Sequence, residues 1–154
     1  MWLPPQPTSV PESWTSYLST QLLSFRQFVN NSWYGLGGLN KTRYYIWKRA
    51  QAAAQAEIWT DPLGYYFCNI VTVLPTCQGK GVGKALFEEV SAMADREGRS
   101  CYLESSRAEP NMRIYERLGY ELKREMVCDD AGEAITLYCM VREPRNREEN
   151  GAED

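Results

Sequence analysis

Trp14, Leu18, Leu22, Phe25, Phe28 and Val29 recur at steps of mostly three and four residues. That spacing puts them on one face of a helix and predicts it over roughly 10–33. Ser9-Val10-Pro11-Glu12 has capping-box spacing with a proline in the first turn. Gly35, Gly37 and Gly38 end the pattern, and the proline-rich residues 1–8 cannot be helical. Asn40 can cap a second helix, roughly 41–58, with Trp47, Ala50, Ala54 and Ile58 on its buried side. The run Ala52-Ala53-Ala54 favours helix and close packing. The aromatic stripe Trp14/Phe25/Phe28 is expected to be core, with the lining of a substrate pocket as the alternative.

After the turn Asp61-Pro62-Leu63-Gly64 the period changes to that of strands. Tyr65 to Leu74 is predicted as a strand, with Ile70, Val71, Thr72 and Val73 β-branched and Pro75 ending it. A glycine-rich loop, Gly79 to Gly83, leads into a helix from Lys84 to Arg96, with Leu86, Val90 and Met93 on one face and Gly98 closing it. Ser100 to Ser105 is the next strand, and Pro110 starts a short helix through Leu118. Tyr120, Leu122, Met126 and Cys128 fall on one face of a strand, and Ile135, Leu137, Cys139 and Val141 on one face of the last, joined through Asp129-Asp130-Ala131-Gly132. The first two strands need a crossover and should be parallel, and the last two should be antiparallel. Residues 143–154 are charged and predict a disordered tail. The expectation is one mixed α/β domain over 1–154, with a helical pair over 1–61 and a core over 62–142.

Composition narrows the chemistry. The formal net charge of -3 argues against nucleic acid as a partner. No apolar run approaches the roughly 20 residues that span a bilayer, and the start carries no signal-peptide pattern, so no membrane partner and a cytoplasmic or nuclear location are expected. Cys68, Cys77, Cys101, Cys128 and Cys139 form no C-x-x-C pair and read as reduced thiols, four of them packed in strands. The chain has no histidine, which excludes Ser-His-Asp and Cys-His nucleophilic systems and removes the commonest metal ligand. No metal is expected, and proton transfer must use carboxylates, tyrosines, cysteines or water.

The informative segment is Val73-Leu74-Pro75-Thr76-Cys77-Gln78-Gly79-Lys80-Gly81-Val82-Gly83-Lys84. Glycines between a strand and a helix let the backbone approach a ligand, and the free N–H groups at the helix start favour an anion, typically phosphate. A Walker A loop needs glycine where Gln78 stands and Ser or Thr where Ala85 stands. A dinucleotide G-x-G-x-x-G fails at Lys84 or Leu86, depending on the starting glycine. What remains is Gln78-x-x-Gly81-x-Gly83 after a β-branched strand.

This pattern resembles the acetyl-CoA-binding motif of the GNAT superfamily of N-acetyltransferases. Asn111-Met112-Arg113-Ile114-Tyr115-Glu116-Arg117-Leu118-Gly119-Tyr120 resembles the family's N-x-x-x-Y-x-x-x-G-[Phe/Tyr] segment, and Leu103-Glu104-Ser105-Ser106 sits where its fifth strand ends. The resemblance covers about 62–142. It implies the acyl-CoA N-acyltransferase fold, a mixed sheet flanked by helices, and acetyl transfer from acetyl-CoA to an amine. It implies that Gln78, Gly79, Lys80, Gly81, Val82, Gly83 and Lys84 hold the pyrophosphate. By the same resemblance, the backbones of Val71, Thr72 and Val73 bind pantetheine and the acetyl carbonyl, Asn111 contacts CoA, and Tyr115 protonates the departing thiolate. Glu104, ending a strand near the cleft, is a candidate base. A neutral surface and aromatic helices suit a small-molecule amine. A non-catalytic CoA-binding or interaction protein is the alternative.

The chain departs from the family before Tyr65. There the family carries a strand, one or two helices and two more strands, whereas these 64 residues read as two long helices. Met1-Trp2-Leu3-Pro4-Pro5 resembles the end of the third family strand in fungal-type members, where it runs into an inserted helical pair. The expectation is a chain lacking the N-terminal part of the fold. Its sheet would begin at the Tyr65 strand, leaving an apolar edge open to aggregation or to a homodimer.

Overall fold

The computed structural model describes residues 1–6 and 13–145. The Ser9–Glu12 capping box and the tail from residue 146 onward lie outside the described residues. Elements run β1 (Trp2–Leu3), α1 (Trp14–Tyr34), α2 (Lys41–Ile58), β2 (Tyr66–Cys68), α3 (Val82–Glu97), β3 (Cys101–Ser105), α4 (Asn111–Arg117), β4 (Glu121–Asp130) and β5 (Glu133–Arg142). The five strands form one mixed sheet in the order β1-β2-β3-β5-β4. β2 and β3 are parallel across the α3 crossover, and β4 and β5 are antiparallel, as the connections require. At the hairpin, Ala131 and Gly132 both take positive φ, 53° and 98°.

The sheet is covered on both faces. On one, Tyr102, Met126, Cys128, Leu137, Cys139 and Val141 pack with Ala54 of α2, and Trp47, Ala50 and Ile58 join from the same helix. Asn40 Oδ1 caps α2 by accepting from Arg43 N at 3.2 Å. Arg43 reaches Asp130 and Glu133 at the hairpin turn, and Glu57 pairs with Arg124, so both ends of α2 are tied to β4 and β5. On the other face Cys68, Cys101, Leu103, Tyr120 and Met140 pack with Phe87 and Ala94 of α3 and with Tyr115 of α4. Four of the cysteines are buried in strands. Burial pushes the Cys68 and Cys101 thiols up to about 11, the cost of placing a thiolate in an apolar layer.

Several expectations are corrected here. The strand predicted over Tyr65–Leu74 is confined to Tyr66–Cys68, which pair with Cys101, Tyr102 and Leu103 before the two strands part. The edge is not β2 but β1, whose Trp2 and Leu3 pair antiparallel with Cys68 and Phe67. Gly64 allows this approach: its φ is +80°, and a Cβ there would lie 2.8 Å from the Gln6 carbonyl oxygen. Tyr120 lies on the α3 face while Met126 and Cys128 lie on the α2 face, since a bulge between Leu122 and Arg124 reverses the alternation. On α3 the buried residues are Phe87, Val90, Ser91 and Ala94, whereas Leu86 is exposed, so the inner face is turned from the one predicted.

α1 forms where the periodicity placed it, capped by Ser13, but its apolar face is not core. Trp14 is 80% exposed, Leu22 60%, Phe25 63% and Phe28 67%. Only its far end meets another element: Leu23 and Phe28 share an open cavity with Tyr44 and Tyr45 at the start of α2.

Candidate functional site

Beyond Cys68 the chain leaves the β3 ladder and forms no further strand before the glycine loop. Asn69 and Ile70 donate to the Met1 carbonyl at 3.2 and 3.3 Å. The next three amides, of Val71, Thr72 and Val73, make no backbone hydrogen bond among the described residues. A segment with unpaired amides is a template for an acceptor-bearing ligand, because such groups are otherwise satisfied.

A 3₁₀ turn at Pro75–Cys77 then leads to the glycine loop. Gln78 is exposed, and its Nε2 donates to the Val73 carbonyl at 3.2 Å and braces the loop against the segment before it. Gly79 and Gly81 adopt φ of 73° and 78°, and a Cβ on either would meet nothing within 4 Å. The open space beside this left-handed backbone leaves room for a ligand. Gly81 is the N-cap of α3 with no side-chain cap, so the first amides of the helix are left for an anion, reinforced by the helix dipole. Gly83 lies against Val73, where an added Cβ would sit 3.7 Å from Cγ2. Lys80 and Val82 are exposed beside the loop, and Lys84 is exposed and pairs with Glu88 at 3.4 Å.

Two adjoining cavities follow. One, of about 420 Å³, is lined by Val71, Val73, Gly83, Lys84, Phe87, Ile114, Tyr115, Arg117 and Leu118. The second, of about 250 Å³, opens where β2 and β3 part and is lined by Cys68 to Val71, Leu103 to Ser106, Asn111 and Tyr115. Val71 and Tyr115 border both. Thr72 lines neither cavity.

Tyr115 sits on the α3 face, its ring 5.5 Å from Phe87 and 6.2 Å from Tyr120 by centroids. Its hydroxyl makes no hydrogen bond among the described residues. Burial, and secondarily the Cys68 thiol, raise its pKa above the usual tyrosine value, so the hydroxyl holds its proton at neutral pH. Glu104 leaves β3 on the opposite, α2 face, where Gln51 Nε2 donates to both carboxylate oxygens and the Tyr102 hydroxyl donates to one. Asn111 donates through Nδ2 to Ser105 Oγ at 3.4 Å, at the mouth of the second cavity. Tyr115 and Glu104 thus border one cavity, the tyrosine ring packed on the α3 face and the carboxylate bonded on the α2 face. Among the described residues no group of three His, Cys, Asp or Glu side chains is placed to hold a metal ion, and no helix is long and apolar enough to cross a membrane.

Of the predicted site residues, Val71, Val73, Gly83, Lys84, Glu104, Asn111 and Tyr115 line the two adjoining cavities, whereas Thr72 and the loop from Gln78 to Val82 line neither. Sequence reasoning missed Phe87, Ile114, Arg117 and Leu118 as cavity walls. Ile114 and Leu118 are four apart on α4, a helical spacing that carried the signal. It also missed Gln51 and Tyr102, which nothing in the sequence ties to Glu104.

The sequence model of the acetyltransferase (GNAT) domain matches residues 40–122, just over half of the chain. A 67-residue stretch is 36% identical to an uncharacterised N-acetyltransferase of Schizosaccharomyces pombe, covering 44% of this chain and 27% of that protein. The chain therefore spans about a quarter of the length of the curated relative it matches. Similar solved structures include a histone acetyltransferase and related acetyltransferase from Corynebacterium glutamicum, 27% identical at a TM-score of 0.41, covering 53% of this chain and 41% of that one. Another is a GNAT-family acetyltransferase from Bacteroides thetaiotaomicron, 19% identical at a TM-score of 0.41, covering 56% and 52%.

Proposed function

We propose that this chain, which belongs to the GNAT acetyltransferase family, moves an acetyl group from acetyl-CoA to the amine of a small molecule. The observation that carries the reading is the unpaired strand extension Val71–Val73 running into an uncapped helix start at Gly81. Together they offer free backbone amides and an anion cradle close in sequence, which suits a ligand with a polar arm and a pyrophosphate. Acetyl-CoA supplies the activated thioester.

The residues divide the work. Amides of the loop 79–84 hold the pyrophosphate, with Lys80 and Lys84 near the phosphates and Gln78 keeping the loop shaped. The amides of Val71, Thr72 and Val73 orient the pantetheine arm and polarise the acetyl carbonyl, and Asn111 steadies the mouth of the cleft. Fixed donors of this kind act on the charge that develops at the carbonyl oxygen. An alkyl amine has a pKa of ~10.4 and must lose a proton to attack. Glu104 takes that proton from the α2 face, and Tyr115 gives its own to the departing sulfur from the α3 face. The acceptor side is a cavity of about 250 Å³, which favours a compact amine over a folded protein surface.

The test of donor binding is thermal protection. Acetyl-CoA should raise Tm by mass action, whereas ATP should not. Gly81→Asp puts a side chain and a negative charge into the phosphate cradle and should lose the protection, each shift being read against that variant's own ligand-free Tm. Protection by ATP and none by acetyl-CoA would sink the proposal.

A further inference from the structure

Glu104 is held as no isolated surface carboxylate is held. Gln51 Nε2 on α2 donates to Oε1 at 3.1 Å and to Oε2 at 3.0 Å. The Tyr102 hydroxyl, two residues back on β3, donates to Oε1 at 2.9 Å. Both donors are buried, Gln51 at 7% exposure and Tyr102 at 0%. Behind Gln51, Lys48 Nζ donates to its amide oxygen at 3.4 Å, which leaves the amide nitrogen turned toward Glu104. Burial first, then Cys139 and Glu104, drive the Tyr102 pKa far up, so its hydroxyl keeps the proton it donates.

A glutamine is a costly choice at this position. Neighbouring positions of α2 that reach the sheet carry Trp47, Ala50 and Ala54. A helix that only had to cover the sheet is best served by another apolar residue, because a buried amide costs free energy unless its hydrogen bonds are made. Gln51 makes them with the carboxylate of Glu104, a residue that lines the second cavity. Neutral donors on both carboxylate oxygens fix a side chain that otherwise rotates about three bonds.

We propose that Gln51 and Tyr102 are positioning residues that aim the Glu104 carboxylate at the acceptor amine. The inference rests on the reading of Glu104 as the base. It explains why a helix outside the glycine loop and α4 belongs to the site: α2 supplies the second wall of the base. Misplacing a reacting group by about 1 Å costs on the order of 10²-fold in rate, which sets the expected size of the effect.

The experiment uses the full chain and its Gln51→Met, Tyr102→Phe, Glu104→Gln and Gln51→Met/Glu104→Gln variants. Thiol release from acetyl-CoA is followed with the fastest amine of a panel of 2-phenylethylamine, spermidine and glucosamine, across pH 6.5–9.5 (roughly the range below the amine pKa of ~10.4). Glu104→Gln should lower kcat by about 10²–10⁴-fold. Gln51→Met should lower it by about 10–10²-fold with KM for acetyl-CoA unchanged. Both deficits should shrink as rising pH deprotonates the amine without help. The double variant should be no slower than Glu104→Gln alone. If Gln51→Met and Tyr102→Phe keep full kcat while Glu104→Gln is slow, the pair only packs, and the inference falls while the base reading stands. Losses that multiply in the double variant overturn it in the same way. A fully active Glu104→Gln overturns the base reading and this inference together. Tyr102→Phe, which keeps the ring and its packing, decides the matter should Gln51→Met fail to fold.

Discussion

Replacing Tyr115 by phenylalanine separates chemistry from folding with unusual clarity. The ring is what the fold uses: it packs against Phe87 at 5.5 Å and Tyr120 at 6.2 Å on the α3 face. The hydroxyl makes no hydrogen bond among the described residues, and Tyr115 borders both cavities. Tyr115→Phe therefore removes no internal bond and opens no cavity, and Tm should change by an amount corresponding to less than about 0.5 kcal/mol. The catalytic consequence is of another size. A departing thiolate has a pKa near ~8.5 and leaves more easily when protonated. A positioned acid is worth about 10²–10⁴-fold, or about 2.7–5.5 kcal/mol of barrier. The assay is steady-state thiol release from acetyl-CoA with a saturating amine, alongside acetyl-CoA titration of both proteins. Lowered kcat with unchanged acetyl-CoA affinity and unchanged Tm is the expected result. An unchanged kcat refutes the assignment and returns Tyr115 to a packing role.

Other perturbations probe the frame. Arg142, 4% exposed, forms a two-bond ion pair with Asp95 at 2.8 and 2.7 Å. Burial alone would raise the Asp95 pKa, but Arg142 and the Arg145 amide outweigh it and leave it below the usual value of 3.8. A depressed carboxylate stabilises the fold above its unfolded pKa and ceases to as pH falls through the folded one, so this contribution should vanish on acidification below about 4. Asp95→Asn strands the buried guanidinium and should cost about 3–5 kcal/mol at neutral pH in chemical denaturation, with a flatter acid limb; a cost under about 1 kcal/mol would mean water replaces the carboxylate. Phe25→Gln on α1 should leave Tm within an equivalent of about 0.5 kcal/mol, since that side chain is 63% exposed; a loss above 2 kcal/mol would show that α1 packs on its neighbours.

Much of this fold is written in periodicity. α2 has the bounds that Asn40 and the apolar spacing set, and the β-α-β crossover and terminal hairpin follow from their connections. Departures arise where local pattern meets a long-range fact. The apolar run Ile70–Leu74 reads as strand, yet a ladder needs a partner alongside, and the chain parts from β3 after Cys68 although β3 runs on to Ser105. The alternation through Tyr120 and Met126 breaks at a bulge that no residue type announces. α1 is amphipathic by sequence, but whether its stripe is buried depends on what else covers the sheet. In the site, the glycine loop was legible because backbone geometry restricts residue choice there. The cradle of Glu104 was not, because Gln51 and Tyr102 stand far apart in sequence, on α2 and β3, and only the packing of α2 brings them together.

Transfer of the acetyl group itself tests the account most directly. The full chain is incubated with deuterium-labelled acetyl-CoA and, separately, 2-phenylethylamine, spermidine, glucosamine and a lysine-rich peptide, and the products are read by mass spectrometry against thiol release. The account predicts labelled acetyl on a small amine in one-to-one ratio with CoA released, faster than on the peptide, and slowed by both Tyr115→Phe and Glu104→Gln. Tight acetyl-CoA binding with no labelled product from any acceptor would contradict it and make the chain a CoA-binding protein without transferase activity.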